Sequence, residues 1–176
     1  MKFKRIYCLY FLLCAALQGF TQTTVFPTPP STPLHLFYLQ RSSNTNTIVV
    51  DIHRKGAVPD EDEPVHVYWL RYQENGQKEE LNFIQRKFAY GIKAKKIASN
   101  QFELNFVSYK KQKFFLMPGA DKQYHVYAVI NGKTVLLSRV YLHINGGSFW
   151  KPNVEYMELA GTDPVTHQAV KERKKI

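Results

Sequence analysis

The sequence predicts a mainly β protein: an antiparallel β-sandwich, or a partly open barrel, of about eight strands with one short α-helix. Three observations predict it. The chain carries 12 Phe and 11 Tyr in 176 residues, and aromatic and β-branched side chains favour strands. Short apolar runs are separated by Gly-, Pro- and Asn-marked breaks, as hairpins in series require. Asn131-Gly132 stands between two apolar runs, the strongest short-range hairpin signal a sequence carries.

Residues 1–21 read as an export signal. Lys2, Lys4 and Arg5 precede an unbroken apolar run from Ile6 to Leu17, followed by small and polar residues. That is the order of a secretory leader, and the apolar run is too short for a bilayer span. A lipid anchor on Cys14 would need a small residue where Leu13 stands. Both cysteines, Cys8 and Cys14, fall in the leader, so cleavage leaves a chain without thiols, fit for an oxidising compartment. The expected location is the periplasm or outside the cell, with no transmembrane segment in the mature chain. Residues 22–33 (QTTVFPTPPSTP) form a Pro/Thr-rich tether with little to pack. A single domain is expected over 34–165 and a frayed basic tail over 166–176.

Within the domain, 34–41 and 47–54 read as a hairpin around the turn formers 42–46. Ile48, Val50 and Ile52 share one face. Residues 65–73 (VHVYWLRYQ) bear large side chains on both faces, as a central strand does, and Asn75-Gly76 turns the chain. In 78–90 the period changes. Leu81, Ile84 and Phe88 make one helical stripe, with Glu79 and Glu80 early and Arg86 and Lys87 late, signs that suit a helix dipole. Gly91 follows at the position of a C-terminal cap.

Phe102, Leu104 and Phe106 alternate inward along 101–108. A short strand is expected at 113–117. Around Asn131-Gly132, a two-residue loop pairs Ile130 with Lys133, Ala128 with Val135 and Val126 with Leu137. Beyond Ser138-Arg139 the apolar parity flips to Val140, Leu142 and Ile144. One extra residue would restore a continuous buried face, so a β-bulge is expected there. The competing reading is a strand buried on both faces. Residues 154–159 are the last expected strand.

The stretches FYLQRSSNTNTIVVDIHR, PVHVYWLRY, ELNFIQRKFAYGI and YLHINGG resemble a family of exported bacterial proteins catalogued as a domain of unknown function, DUF4833. The resemblance spans residues 37–163. It implies one secreted domain and brings no activity or functional residues with it.

The charge is uneven. Cleavage after residue 21 would leave 21 basic and 14 acidic residues. From Arg86 to Lys113 there are eight basic residues and one acid, Glu103. A second basic cluster, Lys171, Arg173, Lys174 and Lys175, ends the chain, and residues 60–63 (DEDE) form an acidic loop. The bland reading is a solvated surface. The functional reading is an anion-binding face.

Chemical motifs are sparse. The six histidines show no metal-ligand spacing, and the acidic loop lacks the glycine and alternating ligands of an EF-hand. No nucleophile motif and no phosphate-cradling glycine loop is present. No catalytic residue, metal or cofactor is therefore assigned. The residues that group are Arg41, Arg71, Arg86, Lys87, Tyr90, Lys93, Lys95 and Lys96. Arginines beside aromatic strands hold carboxylates or phosphates bidentately. Arg71 falls on the Val65/Val67/Trp69 face, where a charge needs a partner, and Asp51 is the expected one.

The leading expectation is an exported binding module whose basic face meets an anionic glycan, a lipid headgroup or an acidic protein. Nucleic acid is not expected, since no binding motif is present. The alternatives are a hydrolase with an unrecognised site and a structural or assembly protein of the cell envelope.

Overall fold

The computed structural model describes residues 25–148 and 151–176. The leader expected at 1–21 and the first residues of the tether lie outside them. Thirteen strands form among the described residues: β1 His35–Arg41, β2 Asn44–Ile52, β3 Arg54–Lys55, β4 Val58–Pro59, β5 Val65–Arg71, β6 Gln77–Glu80, β7 Ile92–Ala98, β8 Gln101–Phe106, β9 Tyr109–Pro118, β10 Tyr124–Ile130, β11 Lys133–Gly147, β12 Pro152–Thr162 and β13 Ala169–Lys175. Two of them, β3 and β4, make a separate small hairpin.

The others join in one curled, open sheet, a half-barrel. Its order is β6-β5-β2-β1-β11-β10-β9-β8-β7, with β12 and β13 added beside β11. All its pairings are antiparallel except β1 with β11, where Tyr38 to Arg41 run parallel to Arg139 to Leu142. β11 pairs with β10 through Lys133 to Leu136 and with β1 from Arg139 onward. The sheet branches where the expected bulge lies: the β11–β12 register slips between Leu137 and Arg139. Val135 and Leu137 before the slip and Val140 after it are all buried, so the extra residue does restore one apolar face.

Curling brings the two wings of the sheet together. Phe37 of β1 meets Phe114 of β9 at 5.7 Å and Phe106 of β8 at 6.3 Å between ring centroids. Ile48, Val50, Trp69, Phe102, Leu104, Leu116, Val126 and Ile130 complete the core. Burial of this apolar area is the main force holding the wings face to face. The Asn131-Gly132 turn has φ of 49° and 75°, as a type I′ turn needs. Its register pairs Ile130 with Lys133 and Ala128 with Val135, as the sequence predicts.

Several boundaries differ from the sequence expectation. Arg41 pairs with Asn44, so the first turn is Ser42-Ser43 alone and Thr45 and Asn46 extend β2. Asn46 is fixed there because its Oδ1 accepts the Gln73 N–H at 3.0 Å. The helix expected over 78–90 is shorter. Gln77–Glu80 pairs with β5 as β6, and only residues 83–89 are helical, ending in a π-turn, Gln85–Ala89. The one other described helical piece is the 3-10 turn Tyr72–Glu74. Residues 92–98, the strand that follows the helical turn, form edge strand β7. The expected frayed tail is β13, paired with β12 from Ala169 to Lys175. The described part of the tether also packs: Pro29 is buried and the Gln40 Nε2 donates to the Pro27 carbonyl at 2.8 Å.

Candidate functional site

The two ends of the strand order, β6 and β7, are joined by residues 81–91, and a cleft of about 100 Å³ remains between the wings there. Val65, Val67, Leu81, Ile92 and Ala94 give it apolar walls, and Asp62, Glu63 and Arg86 stand with them. The acidic loop reaches across this opening. Glu63 Oε1 accepts from Arg86 Nη1 at 3.3 Å, and Glu61 Oε1 from Lys96 Nζ at 2.6 Å. The loop is held in shape by Asp60, whose Oδ1 accepts the N–H groups of Asp62 and Glu63. Those two bonds, with Glu63 contributing most, hold the Asp60 carboxyl below the usual carboxylate range.

The basic residues grouped from sequence divide into three sets. Arg41 and Tyr90 face inward. The Arg41 guanidinium donates to the Tyr90 hydroxyl and to Asn44 Oδ1 at 3.2 Å. It lies over both the Trp69 and the Tyr90 rings, 4.8 Å and 5.2 Å from their centroids. Burial lowers its proton affinity below the ordinary arginine value, and Tyr90 opposes the shift. Arg71 is paired, but with Glu74 and Glu79. Asp51 instead accepts from the Tyr68 hydroxyl at 3.0 Å. Burial, and then Asp51, push that hydroxyl far up. Arg86 and Lys96 are engaged by the acidic loop.

Lys87, Lys93 and Lys95 form the third set. Lys93 and Lys95 are exposed on β7 opposite Asn105 and Glu103. Phe102, Leu104 and Phe106 of β8 point into the core, so Lys93 and Lys95 sit on the outer face. Among the described residues neither has an ion-pair partner; the Glu103 carboxylate accepts from Lys113 at 2.9 Å. The C-terminal basic cluster is half occupied: Arg173 is bonded to Glu158 and Lys174 to Gln112, while Lys171 and Lys175 are exposed.

The sequence reading missed the surface of the 81–91 turn. Leu81 is buried as expected, but Phe83, Ile84 and Phe88 are 72%, 46% and 62% exposed. The turn is nonetheless well fixed. Asn82 Oδ1 accepts the Gln85 N–H at 2.9 Å while Gln85 Oε1 accepts the Asn82 N–H at 3.1 Å, a reciprocal cap. The Trp69 indole N–H donates to the same Gln85 oxygen, and the Ser108 hydroxyl to the Ala89 carbonyl. Gly91 is required for space, not for a left-handed cap: a Cβ there would lie 1.9 Å from the Arg86 carbonyl oxygen.

The described histidines form no common site: His66 pairs with Glu80, His125 with Asp121 and His143 with Glu155, while His35 lies 3.4 Å from Asp51, the residue that also faces His66 across the β2–β5 ladder. Among the described residues no group of three His, Cys, Asp or Glu is placed to hold a metal ion.

Comparison with known proteins gives one match. The profile of the family described as Domain of unknown function (DUF4833) matches residues 37–173. No curated protein and no solved structure matches.

Proposed function

The chain belongs to the DUF4833 family, a domain of unknown function, and from that premise we propose that it is an exported module that binds an anionic surface or an acidic partner. The observation that carries the reading is the outer side of β7. Lys93 and Lys95 stand there exposed and without acidic partners among the described residues, beside a Glu103 already taken by Lys113. A cluster of one sign attracts the opposite charge and raises its encounter rate. Export is supported by the basic, apolar and polar order of residues 1–21 and by the confinement of Cys8 and Cys14 to them.

Arg41, Arg71 and Tyr90 are not part of this face, since their polar groups are committed to one another, to Asn44, or to Glu74 and Glu79. The hydrolase reading draws less support. The His66, His125 and His143 pairs lie toward the surface, the half-buried His35–Asp51 pair does not line the cleft, and the cleft lining holds Asp62, Glu63 and Arg86 but no histidine.

The test is retention on a polyanionic matrix as salt is raised. Wild type should bind at low salt and elute as ionic strength passes about 0.15 M, where the screening length falls to ~8 Å. Lys93→Ala/Lys95→Ala should elute earlier, and Lys96→Ala, already neutralised by Glu61, should change less. Salt-independent retention, or a double variant that elutes with wild type, would count against the proposal.

A further inference from the structure

We propose that the 81–91 turn is an anchor for an anionic lipid surface, with Phe83, Ile84 and Phe88 entering the headgroup region and Lys87, Lys93 and Lys95 meeting the lipid phosphates. This rests on the basic-face reading above and names its ligand.

Three exposed apolar side chains on one short turn are unusual in a soluble surface, where single exposed apolar residues are the rule. These are not exposed through fraying. The reciprocal Asn82–Gln85 cap, the Trp69 bond and the Ser108 bond fix the turn from below, and Leu81 is buried beneath it. The backbone is held so that its apolar side chains point out.

Charge selects the occupant. Between Leu81 and Ala98 there are five basic residues and no acid. The acidic loop engages Arg86 and Lys96, leaving Lys87, Lys93 and Lys95. Lys87 Nζ lies 5.2 Å from the Phe83 centroid and 5.4 Å from that of Phe88, so apolar and cationic groups share one spot. Apolar insertion with basic side chains at phosphate depth is how interfacial segments hold anionic bilayers, and a lysine stem can lie along apolar surface with its ammonium in the polar layer.

Shape argues the same way. Side chains this exposed project as a knob. A stable protein interface needs about 800 Å² from each partner, more than a single turn presents, whereas insertion among headgroups needs only a few side chains. A second copy docking through the same turn would set Lys87 against Lys87, an unfavourable approach of like charges.

The test is flotation of the full chain with vesicles of phosphatidylcholine alone and with about 30 mol% phosphatidylglycerol. All variants are compared in the same chain, so the N-terminal apolar run contributes equally to each. Wild type should bind the anionic vesicles more strongly. Phe83→Ser/Phe88→Ser should bind them about tenfold or more weakly while keeping wild-type retention on a polyanionic matrix. In a second variant, Phe88→Trp, the tryptophan emission gained over wild type should be quenched by lipids brominated on the acyl chain. A Phe double variant that binds vesicles like wild type, equal binding to both vesicle types, or unquenched emission from Phe88→Trp would overturn the anchor while leaving the basic face standing. Wild type that binds neither vesicles nor polyanion would overturn both. Self-association of wild type, abolished in the Phe double variant, would assign the turn to a second copy and overturn the proposal.

Discussion

The guanidinium of Arg41 lies over the indole of Trp69, 4.8 Å from its centroid, and its hydrogen-bond partners, Tyr90 and Asn44, are both uncharged. Trp69 is buried, so the contact is desolvated, and a desolvated cation–π contact stabilises by about 2 kcal/mol. Arg41→Ala should lower stability by about 2–3 kcal/mol, since it also leaves the Tyr90 hydroxyl without its donor. Arg41→Lys should restore little, because an ammonium cannot keep the flat stacked geometry. Urea unfolding checks both variants, and the folded Ala variant should keep wild-type polyanion retention.

Two glycines should respond differently to alanine. Gly132 has φ of 75°, and no heavy atom lies within 4 Å of where a Cβ would stand, so Gly132→Ala meets only backbone strain, about 1 kcal/mol. Gly91→Ala meets the Arg86 carbonyl oxygen, and the turn must shift to admit it. The expected loss is the larger of the two, and thermal unfolding of the pair measures it. Gly91→Ala should also weaken vesicle binding, since Phe83 and Phe88 ride on the displaced turn.

Much of the interior was legible because strand parity leaves little choice. The inward alternation of Phe102, Leu104 and Phe106, the Asn131-Gly132 register and the Ser138 bulge all follow from the demand that one face stay apolar. The edge strands carry no such signal. β6 (QKEE) and β13 (AVKERKK) are polar, and β7 (IKAKKIA) is rich in Lys and Ala; their strand state comes from the ladder partner, which local propensity does not report. The stripe of Leu81, Ile84 and Phe88 misleads because periodicity assumes that apolar residues turn inward. Off-stripe Phe83 is the sign that they do not. At the site, the basic surplus is legible as a count, but which cations are neutralised depends on loop 60–63 crossing to partners 23 and 35 residues away.

Removing that acidic loop's charge should strengthen anion binding. Glu61→Gln/Glu63→Gln frees Lys96 and Arg86 from their ion pairs. Both pairs are exposed, so stability should change by less than about 1 kcal/mol. Retention on the polyanionic matrix should extend to higher salt, and an unchanged elution position would show that Arg86 and Lys96 take no part.

Acid should loosen the fold through three carboxylates. Asp60 is held low by the Glu63 and Asp62 N–H groups, Asp121 by His125 and then the Gln123 N–H, and Asp163 by the Thr166 and Val165 N–H groups. Each folded pKa lies below its unfolded value of about 3.9, so this stabilisation is complete above that pH and is lost as pH falls through the folded value. The urea midpoint should drop below about pH 4. Asp60→Asn/Asp121→Asn/Asp163→Asn should show a shallower acid limb.

The most direct test of the basic face is a backbone amide NMR map of the protein titrated with a soluble polyanion at low salt. Shifts should centre on Lys87, Lys93 and Lys95 and collapse as salt is added. Shifts centred on the groove lined by Tyr38, Gln40 and Arg139, or along β13, would contradict it.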